Sequence, residues 1–285
     1  MHASLTVLQA IVLGITQGLT EFAPVSSSGH LILVPWIFNW NILQDPQVNK
    51  TFDVALHMGT FVGAILYFRS DIVRYLGAWF RSIARRSVRT PDERVAWFLV
   101  IGTVPGAIAG ALFASVIEDK LGQPWLIAVM LVVFGVVLYV VDRVARRDRG
   151  TADLGLRDAV VIGVAQAVAL QPGVSRSGVT ITAARWLGLD REPAARFSFL
   201  LSLPIIGGAG LYKGLEVVRN GLPRGLAGPF FWGFVAAAVS GFLVIWGLLA
   251  YLRHRDFAVF VWYRFAVAAL VLGLIAAGVR PAAGL

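Results

Sequence analysis

The chain has 285 residues, of which 58% are hydrophobic and 14% are charged, and its mean hydropathy is +0.75. Soluble domains carry about 25% charged residues, so this composition excludes a water-soluble globular surface. The apolar runs are continuous and close to the ~20 residues with which a helix crosses a bilayer, whereas a transmembrane barrel shows short alternating segments. The composition therefore predicts an all-α polytopic membrane protein.

The formal net charge is +9, and a basic balance can indicate a partner that is a nucleic acid. The arginines, however, cluster between the apolar runs, which is the distribution that the positive-inside rule describes. We therefore expect no nucleic acid partner, and the lipid bilayer as the surroundings. The chain contains no cysteine, so a disulfide framework and thiol chemistry are excluded.

Along the chain, two broken apolar stretches alternate with plain ones. Six plain spans are predicted at about 52–69, 94–115, 124–142, 196–213, 229–252 and 258–279. The broken stretches, about 5–38 and 157–190, are apolar at both ends and polar in the middle. Unpaired backbone at membrane depth persists only inside protein or beside a water-filled cavity. Both stretches are therefore predicted to form re-entrant helix–loop–helix hairpins.

The two broken stretches are copies of each other at a constant offset. The aligned positions are Gly14 with Gly163, Gln17 with Gln166, Val25-Ser26 with Val174-Ser175, and Ser28-Gly29 with Ser177-Gly178. Each hairpin precedes three plain spans, and because three is odd, the second copy must enter the membrane inverted. The sequence predicts a single membrane domain with an inverted-topology repeat, repeat 1 about 1–145 and repeat 2 about 155–285, and a site where the repeats meet.

Arginine-rich segments predict the orientation. We expect both segments to be loops on the same side of the membrane; their arginines are Arg74, Arg81, Arg85, Arg86 and Arg89, and Arg143, Arg146, Arg147 and Arg149. The positive-inside rule makes that side the cytoplasm. The 213–229 segment, which carries Lys213 and Arg219 on the other side, disagrees with this assignment.

Polar and ionisable side chains inside a membrane are costly, so each needs a partner or a role. The first hairpin carries Gln17, Glu21, Ser26, Ser27, Ser28 and His30. Gln17 and Glu21 are four residues apart and share one helix face. A carboxylate is a hard oxygen ligand that suits Mg²⁺ or Ca²⁺, so Glu21 with the neutral carbonyl of Gln17 is a candidate metal site.

The second hairpin carries Ser175, Arg176, Ser177 and Thr180 after Pro172-Gly173. Free backbone N–H groups at a helix N-terminus favour anions, and a guanidinium binds phosphate through two parallel hydrogen bonds. Together the hairpins offer hydroxyls, one acid, one imidazole and one guanidinium, an inventory that suits phosphoryl transfer.

Structural roles are the alternatives at each of these positions. Serine in membrane helices often only permits close packing, and Arg176 could form a buried ion pair with Glu21. His57, alone on an apolar stretch, is more readily explained as a satisfied polar group than as a ligand.

The two motifs resemble those of bacterial undecaprenyl-diphosphate phosphatases of the bacitracin-resistance type. Gln17-Gly-Leu-Thr-Glu21, followed by Pro24-Val-Ser-Ser-Ser-Gly-His30, is similar to the family's first motif, and Pro172-Gly-Val-Ser-Arg-Ser-Gly-Val-Thr180 to its second. The resemblance extends over nearly the whole chain. One departure stands at Gln17, where some members have Glu.

This resemblance implies hydrolysis of undecaprenyl diphosphate to the monophosphate, which recycles the lipid carrier for peptidoglycan synthesis. It implies Ser27 as nucleophile, Glu21 as the carboxylate near the metal, and His30 in proton transfer. Arg176 would hold the phosphate. Neighbouring phosphate-binding groups are predicted at Ser26, Ser28, Ser175, Ser177 and Thr180.

Location and partners follow from the same resemblance. It implies a multi-pass protein of the bacterial plasma membrane, a polyprenyl diphosphate lipid as substrate, and a site that opens to the periplasm. The sequence does not decide whether the chain forms a homodimer. A flippase for the same lipid phosphate remains the alternative, because inverted repeats with broken helices are a transporter architecture.

Overall fold

The structure is a computed structural model that describes residues 5–40, 45–220, 222 and 225–283. These residues form eleven α-helices and a short 3₁₀ helix at Thr151–Asp153. The α-helices are α1 (Val7–Phe22), α2 (Ser27–Phe38), α3 (Pro46–Tyr67), α4 (Arg69–Ala84), α5 (Pro91–Leu121), α6 (Pro124–Val144), α7 (Leu156–Val168), α8 (Arg176–Trp186), α9 (Arg191–Asn220), α10 (Ala227–Leu252) and α11 (Ala258–Ala276). The predicted all-α architecture is confirmed.

Every predicted plain span corresponds to a helix, namely α3, α5, α6, α9, α10 and α11. Within the described ranges, five of these are long and apolar enough to cross a bilayer alone, and α3 qualifies only together with α4. The N-terminal part of α3 explains the difference, because Gln47, Lys50 and Asp53 are polar or charged. The chain is a multi-pass membrane protein.

Part of the arginine-rich segment after α3 is a helix: Arg74 and Arg81 lie on α4, so the prediction of a loop was wrong there. Arg85, Arg86 and Arg89 follow α4 in the connection to α5, as predicted. Helix α4 is bent by 82° from α3. Its buried side, Tyr75, Ala78 and Ser82, follows helical spacing and faces α5, while Val73 and Phe80 are exposed on another side. Arginine is a good helix former, and an amphipathic helix rich in arginine suits the interface between lipid and water.

Both broken stretches form helix–loop–helix hairpins, as predicted. The first pairs α1 with α2 through a first loop at residues 23–26, and the second pairs α7 with α8 through a second loop at residues 169–175. The four helices have 16, 12, 13 and 11 residues, each shorter than the ~20 residues of a full crossing. Both loops consequently lie inside the helical bundle.

Equivalent glycines bring each hairpin close to the other half of the chain. A Cβ atom at Gly14 of α1 would lie 2.3 Å from the carbonyl oxygen of Gly233 on α10, and one at Gly163 of α7 would lie 2.6 Å from that of Gly102 on α5. Backbones can approach this closely only where no side chain intervenes. The two hairpins are therefore packed in the same manner, and the inverted repeat stays a prediction.

A buried ion cluster ties α6 to α8 and α9. The carboxylate of Asp142 accepts hydrogen bonds from Arg185 Nε at 3.1 Å and from Arg191 Nη2 at 2.8 Å. Arg185 is fully buried, and a buried charge is tolerated only when it is paired and hydrogen-bonded. This cluster fixes the far end of α8, whose near end begins at the second loop.

Candidate active site

The two loops meet and are joined by direct hydrogen bonds. The backbone N–H of Gly173 donates to Ser26 Oγ at 2.9 Å, and Ser177 Oγ donates to the carbonyl oxygen of Ala23 at 3.0 Å. All four residues are buried. The hairpins therefore place the N-termini of α2 and α8 beside each other, although about 150 residues separate them along the chain.

The residue before each of these helices has an unusual backbone conformation. Ser26 has φ 76° and Ser175 has φ 77°, a region that non-glycine residues enter at a cost of about 1–3 kcal/mol. Their hydroxyls explain why glycine does not occupy these positions. Ser26 Oγ accepts from the N–H of Gly29 at 3.3 Å, and Ser175 Oγ from that of Gly178 at 3.0 Å. The same strained cap thus starts both helices.

Glu21 is the centre of the site. Its Oε2 accepts hydrogen bonds from Ser27 Oγ at 2.6 Å and from Gln17 Nε2 at 2.8 Å. Its Oε1 accepts from Arg176 Nη2. Glu21 is only 4% exposed, and a buried carboxylate requires partners of this kind. The structure thus brings Gln17, Glu21, Ser27 and Arg176 together, and it also contains the ion pair that was the structural alternative for Arg176.

Arg176 reaches Glu21 from the first turn of α8. Its Nη1 also lies 3.4 Å from the carbonyl oxygen of Ser202 on α9, and its side chain is 19% exposed. A guanidinium has five N–H donors and no acceptor. Arg176 therefore retains donors for an anion that approaches the helix N-termini, where backbone N–H groups also favour negative charge.

His30 lies beside this cluster, and its ring nitrogens bond groups other than Ser27. Its Nδ1 is 2.7 Å from the carbonyl oxygen of Ser26, and its Nε2 is 2.9 Å from the hydroxyl of Tyr263, with the two rings stacked at 5.6 Å. A carbonyl only accepts, so Nδ1 carries a proton and the neutral ring accepts from Tyr263 at Nε2. Glu21, rather than His30, is thus the group hydrogen-bonded to the Ser27 hydroxyl.

The predicted phosphate-binding hydroxyls occupy different environments. Ser28 is half-buried in the first turn of α2. Ser175 Oγ lies 3.2 Å from Ser177 Oγ, and Thr180 Oγ1 donates toward the carbonyl oxygen of Arg176 at 2.7 Å. Ser26 and Ser177 thus join the two hairpins, whereas Thr180 bonds within α8 and to Ser198 on α9. Contact of these hydroxyls with phosphate stays a prediction.

Sequence reasoning missed three residues at this site. His57 of α3 has Nε2 3.5 Å from Glu21 Oε2, while its Nδ1 lies 2.8 Å from the carbonyl oxygen of Asp53. Tyr263 bonds His30, and Arg264 bonds both loops. The signal available for Arg264 was a charge within an apolar span; for His57 and Tyr263 no local pattern indicates the contact.

Glu21 and Gln17 are the oxygen ligands that the site offers to a divalent cation. No group of three or more His, Asp, Glu or Cys side chains with metal-binding geometry occurs within the part of the chain that the structure describes. Gln17 Oε1, however, is buried and has no hydrogen-bond partner, and it stands next to the Glu21 carboxylate. Mg²⁺ commonly takes one or two carboxylates and completes its shell with water and substrate phosphates. Glu21 and Gln17 fit a cation of this kind.

The sequence is similar to proteins of one known family. Residues 10–270 match the family of the bacitracin resistance protein BacA. The chain is 44% identical to an undecaprenyl-diphosphatase of Pelobacter propionicus over 96% of this chain and 99% of that protein. Proteins of the same name from Pelotomaculum thermopropionicum and Moorella thermoacetica are 46% and 45% identical, over 96% and 95% of this chain and 98% of each relative. The chain belongs to the bacitracin resistance protein BacA family.

Proposed function

We propose that this protein hydrolyses undecaprenyl diphosphate to undecaprenyl phosphate and inorganic phosphate, and so recycles the lipid carrier for peptidoglycan synthesis. Relatives that share 42–46% of its residues bear the name of this activity. The observation that carries the proposal is the hydrogen bond of 2.6 Å from Ser27 Oγ to Glu21 Oε2 next to Arg176. A hydroxyl, a proton acceptor and a guanidinium are the groups that phosphoryl transfer needs.

In the first step, Ser27 Oγ attacks the terminal phosphorus of the diphosphate. An O–P bond forms to Ser27, and the bond from that phosphorus to the bridging oxygen breaks. The hydroxyl proton passes to Glu21, whose carboxylate already accepts a hydrogen bond from the Ser27 hydroxyl. Undecaprenyl phosphate leaves with the electron pair of the broken bond, and the terminal phosphoryl group remains on Ser27.

In the second step, water attacks the phosphoryl group on Ser27. The water supplies the new P–O bond, and the Ser27–phosphorus bond breaks. Glu21 returns its proton to the Ser27 oxygen as that bond breaks, and the protons of the water leave with inorganic phosphate, so that the Ser27 hydroxyl and the Glu21 carboxylate are restored. We assign His30 to proton movement at this site, held in place by Ser26 and Tyr263.

Arg176 and the two helix N-termini stabilise the negative charge of the phosphoryl group. The guanidinium pairs with Glu21 through Nη2, and a planar fork can contact a carboxylate and a phosphate together. A cation held by Glu21 and Gln17, which we propose as Mg²⁺ or Ca²⁺, would neutralise phosphate oxygens when bound. The unpartnered Gln17 Oε1 supports this assignment.

We place the protein in the bacterial inner membrane with the site open to the periplasmic side. The arginine-rich segments support the orientation of the chain, since they lie on one side of the predicted topology. The family resemblance supports the periplasmic opening of the site. The polyprenyl tail would remain in lipid between helices, while the charged head group lies where the two inverted repeats meet.

Phosphate release by purified protein in detergent tests the proposal. Release that stops with a chelator and returns with Mg²⁺ or Ca²⁺ is expected, and Arg176→Ala should abolish release from protein that still inserts in the membrane. The alternative is a flippase for the same lipid, because interrupted helices in paired repeats are typical of transporters. Transport needs a sealed membrane and hydrolysis does not, so wild-type protein that releases no phosphate in detergent would favour the flippase.

A further inference from the structure

Arg264 lies at the junction of both hairpin loops, in the middle of α11. It is fully buried, and no ion pair joins it to a carboxylate within the described part of the chain. A guanidinium without a carboxylate partner is costly inside a membrane protein. Its hydrogen bonds therefore have to explain why it is there.

The nitrogens of Arg264 bind the first loop, the second loop and α6, and Nη2 contacts both the second loop and the carbonyl oxygen of Met130 on α6 at 3.3 Å. Nη1 donates to the carbonyl oxygen of Pro24 in the first loop at 3.0 Å. Nη2 donates to that of Gly173 in the second loop at 2.8 Å, with Val174 at 3.2 Å. Nε donates to that of Leu131 on α6 at 2.9 Å. One planar group thus connects three segments that are distant in sequence.

The bonds to the two loops use carbonyl groups that lie outside any helix. Pro24, Gly173 and Val174 belong to the loops, and backbone groups at membrane depth need internal partners. Arg264 holds these carbonyls next to Ser26. The hydroxyl of Ser26 caps α2 by accepting from the N–H of Gly29, and it joins the two loops by accepting from the N–H of Gly173. The guanidinium therefore sets the separation of the helix N-termini that carry Ser27 and Arg176.

We propose that Arg264 is a positioning residue that holds the two loops in register, so that the Ser27–Glu21 pair and Arg176 converge on one phosphoryl group. This inference rests on the proposed function. Arg264 acts through the backbone of both loops and touches neither Ser27 nor Glu21. A displacement of about 1 Å between reacting groups can cost about 100-fold in rate.

The substitution Arg264→Lys tests this role, because one ammonium nitrogen cannot reach three segments as the three guanidinium nitrogens do. Arg185→Lys is the matched control: Arg185 is also fully buried, but it binds Asp142 at the far end of α8. We expect Arg264→Lys to lower kcat about 100-fold with KM within about threefold. Arg185→Lys should lower the thermal midpoint similarly and keep kcat within about threefold.

Two results would overturn the proposal. One is folded Arg264→Lys protein with unchanged kcat; the other is an equal loss of kcat in both variants for an equal loss of stability. Wild-type protein without phosphatase activity would instead contradict the proposed function, so the two failures are distinguishable.

If Arg264→Lys does not fold, Gly135→Ala tests the same positioning role of Arg264. A Cβ atom there would lie 3.0 Å from the Phe265 ring and 3.6 Å from Arg264 Nε, whereas Gly273 on α11 has open space. We expect Gly135→Ala to lower kcat and Gly273→Ala to leave it unchanged. Equal kcat values in the two alanine variants would contradict the positioning role of Arg264.

Discussion

Arg176 and Glu21 are separated by 155 residues in the chain and form a buried ion pair across the two hairpins. The carboxylate comes from the first hairpin together with Ser27, and the guanidinium comes from the position of the second hairpin that aligns with Ser27. The matching loops have thus taken different chemical roles. The first hairpin carries the hydroxyl and the carboxylate to which it is hydrogen-bonded, and the second carries the guanidinium.

Replacing Ser27 by alanine tests the nucleophile. Ser27→Ala removes the hydroxyl that donates to Glu21 at 2.6 Å, and we expect phosphate release to fall by about 10³-fold or more. Release assays on purified protein measure this. The control is Ser70→Ala, on exposed α4 surface, which should retain full activity. Full activity in Ser27→Ala would remove the nucleophile assignment and direct attention to His30.

Replacing Gln17 by glutamate tests the metal site. A second carboxylate beside Glu21 binds a divalent cation more tightly than an amide does, so Gln17→Glu should lower the metal concentration for half-maximal activity by about tenfold. A metal titration after chelation gives this concentration. The matched control is Gln166→Glu. Gln166 aligns with Gln17 in the repeat, but Leu170 stands at the position that aligns with Glu21, so no carboxylate lies four residues further on. Equal metal dependence in wild type and Gln17→Glu would contradict Gln17 as a ligand.

Removing the hydroxyl of Tyr263 tests the role of His30. Tyr263→Phe keeps the ring stacked on His30 and loses the 2.9 Å contact with Nε2. A hydrogen bond of this kind is worth about 1 kcal/mol, so we expect kcat to fall about fivefold with little change in KM. Steady-state kinetics decide this, with Tyr212→Phe on the exposed face of α9 as control. Unchanged kcat would mean that His30 needs no partner at Nε2.

Adding a methyl group at the hairpin glycines tests the packing that supports the loops. Gly14→Ala and Gly163→Ala would each place Cβ within 2.6 Å of a carbonyl oxygen on the neighbouring helix. Overpacking of this kind costs about 1–3 kcal/mol, so the free energy of unfolding in a detergent titration should drop for both. Gly247→Ala meets open space and should be neutral or slightly stabilising. Similar stability in all three variants would refute the tight contacts.

Removing the charge of Asp142 tests the buried ion cluster. Asp142→Asn leaves Arg185 without a carboxylate, and breaking a buried pair in this way costs about 3–5 kcal/mol. The same detergent titration measures the loss. The control is the exposed Asp148→Asn, which should change stability by less than about 0.5 kcal/mol. An equally small effect of Asp142→Asn would show that the cluster contributes little to stability.

Much of the architecture was predictable because hydropathy and helical spacing are properties of contiguous residues. All six plain spans and both hairpins were predicted at the right places. The error at α4 has a physical origin: its arginines suggested a loop, although its burial pattern is that of an amphipathic surface helix. The motif around Glu21 and Ser27 was also local, since Gln17, Glu21 and Ser27 lie within 11 residues of each other.

The sequence by itself determined the membrane class, the paired hairpins and the chemical groups that they carry. Only the tertiary structure decided which groups meet: Glu21 with Arg176 and His57, His30 with Tyr263, and both loops with Arg264. The reason is that these contacts depend on how closely the helices approach, which side-chain volume at distant positions such as Gly14 and Gly233 controls. The charge of Arg264 within an apolar span indicates that it has a role. No local pattern around Tyr263 or Arg264 predicts how closely the helices approach, so the partners of these two residues are known only from the assembled bundle.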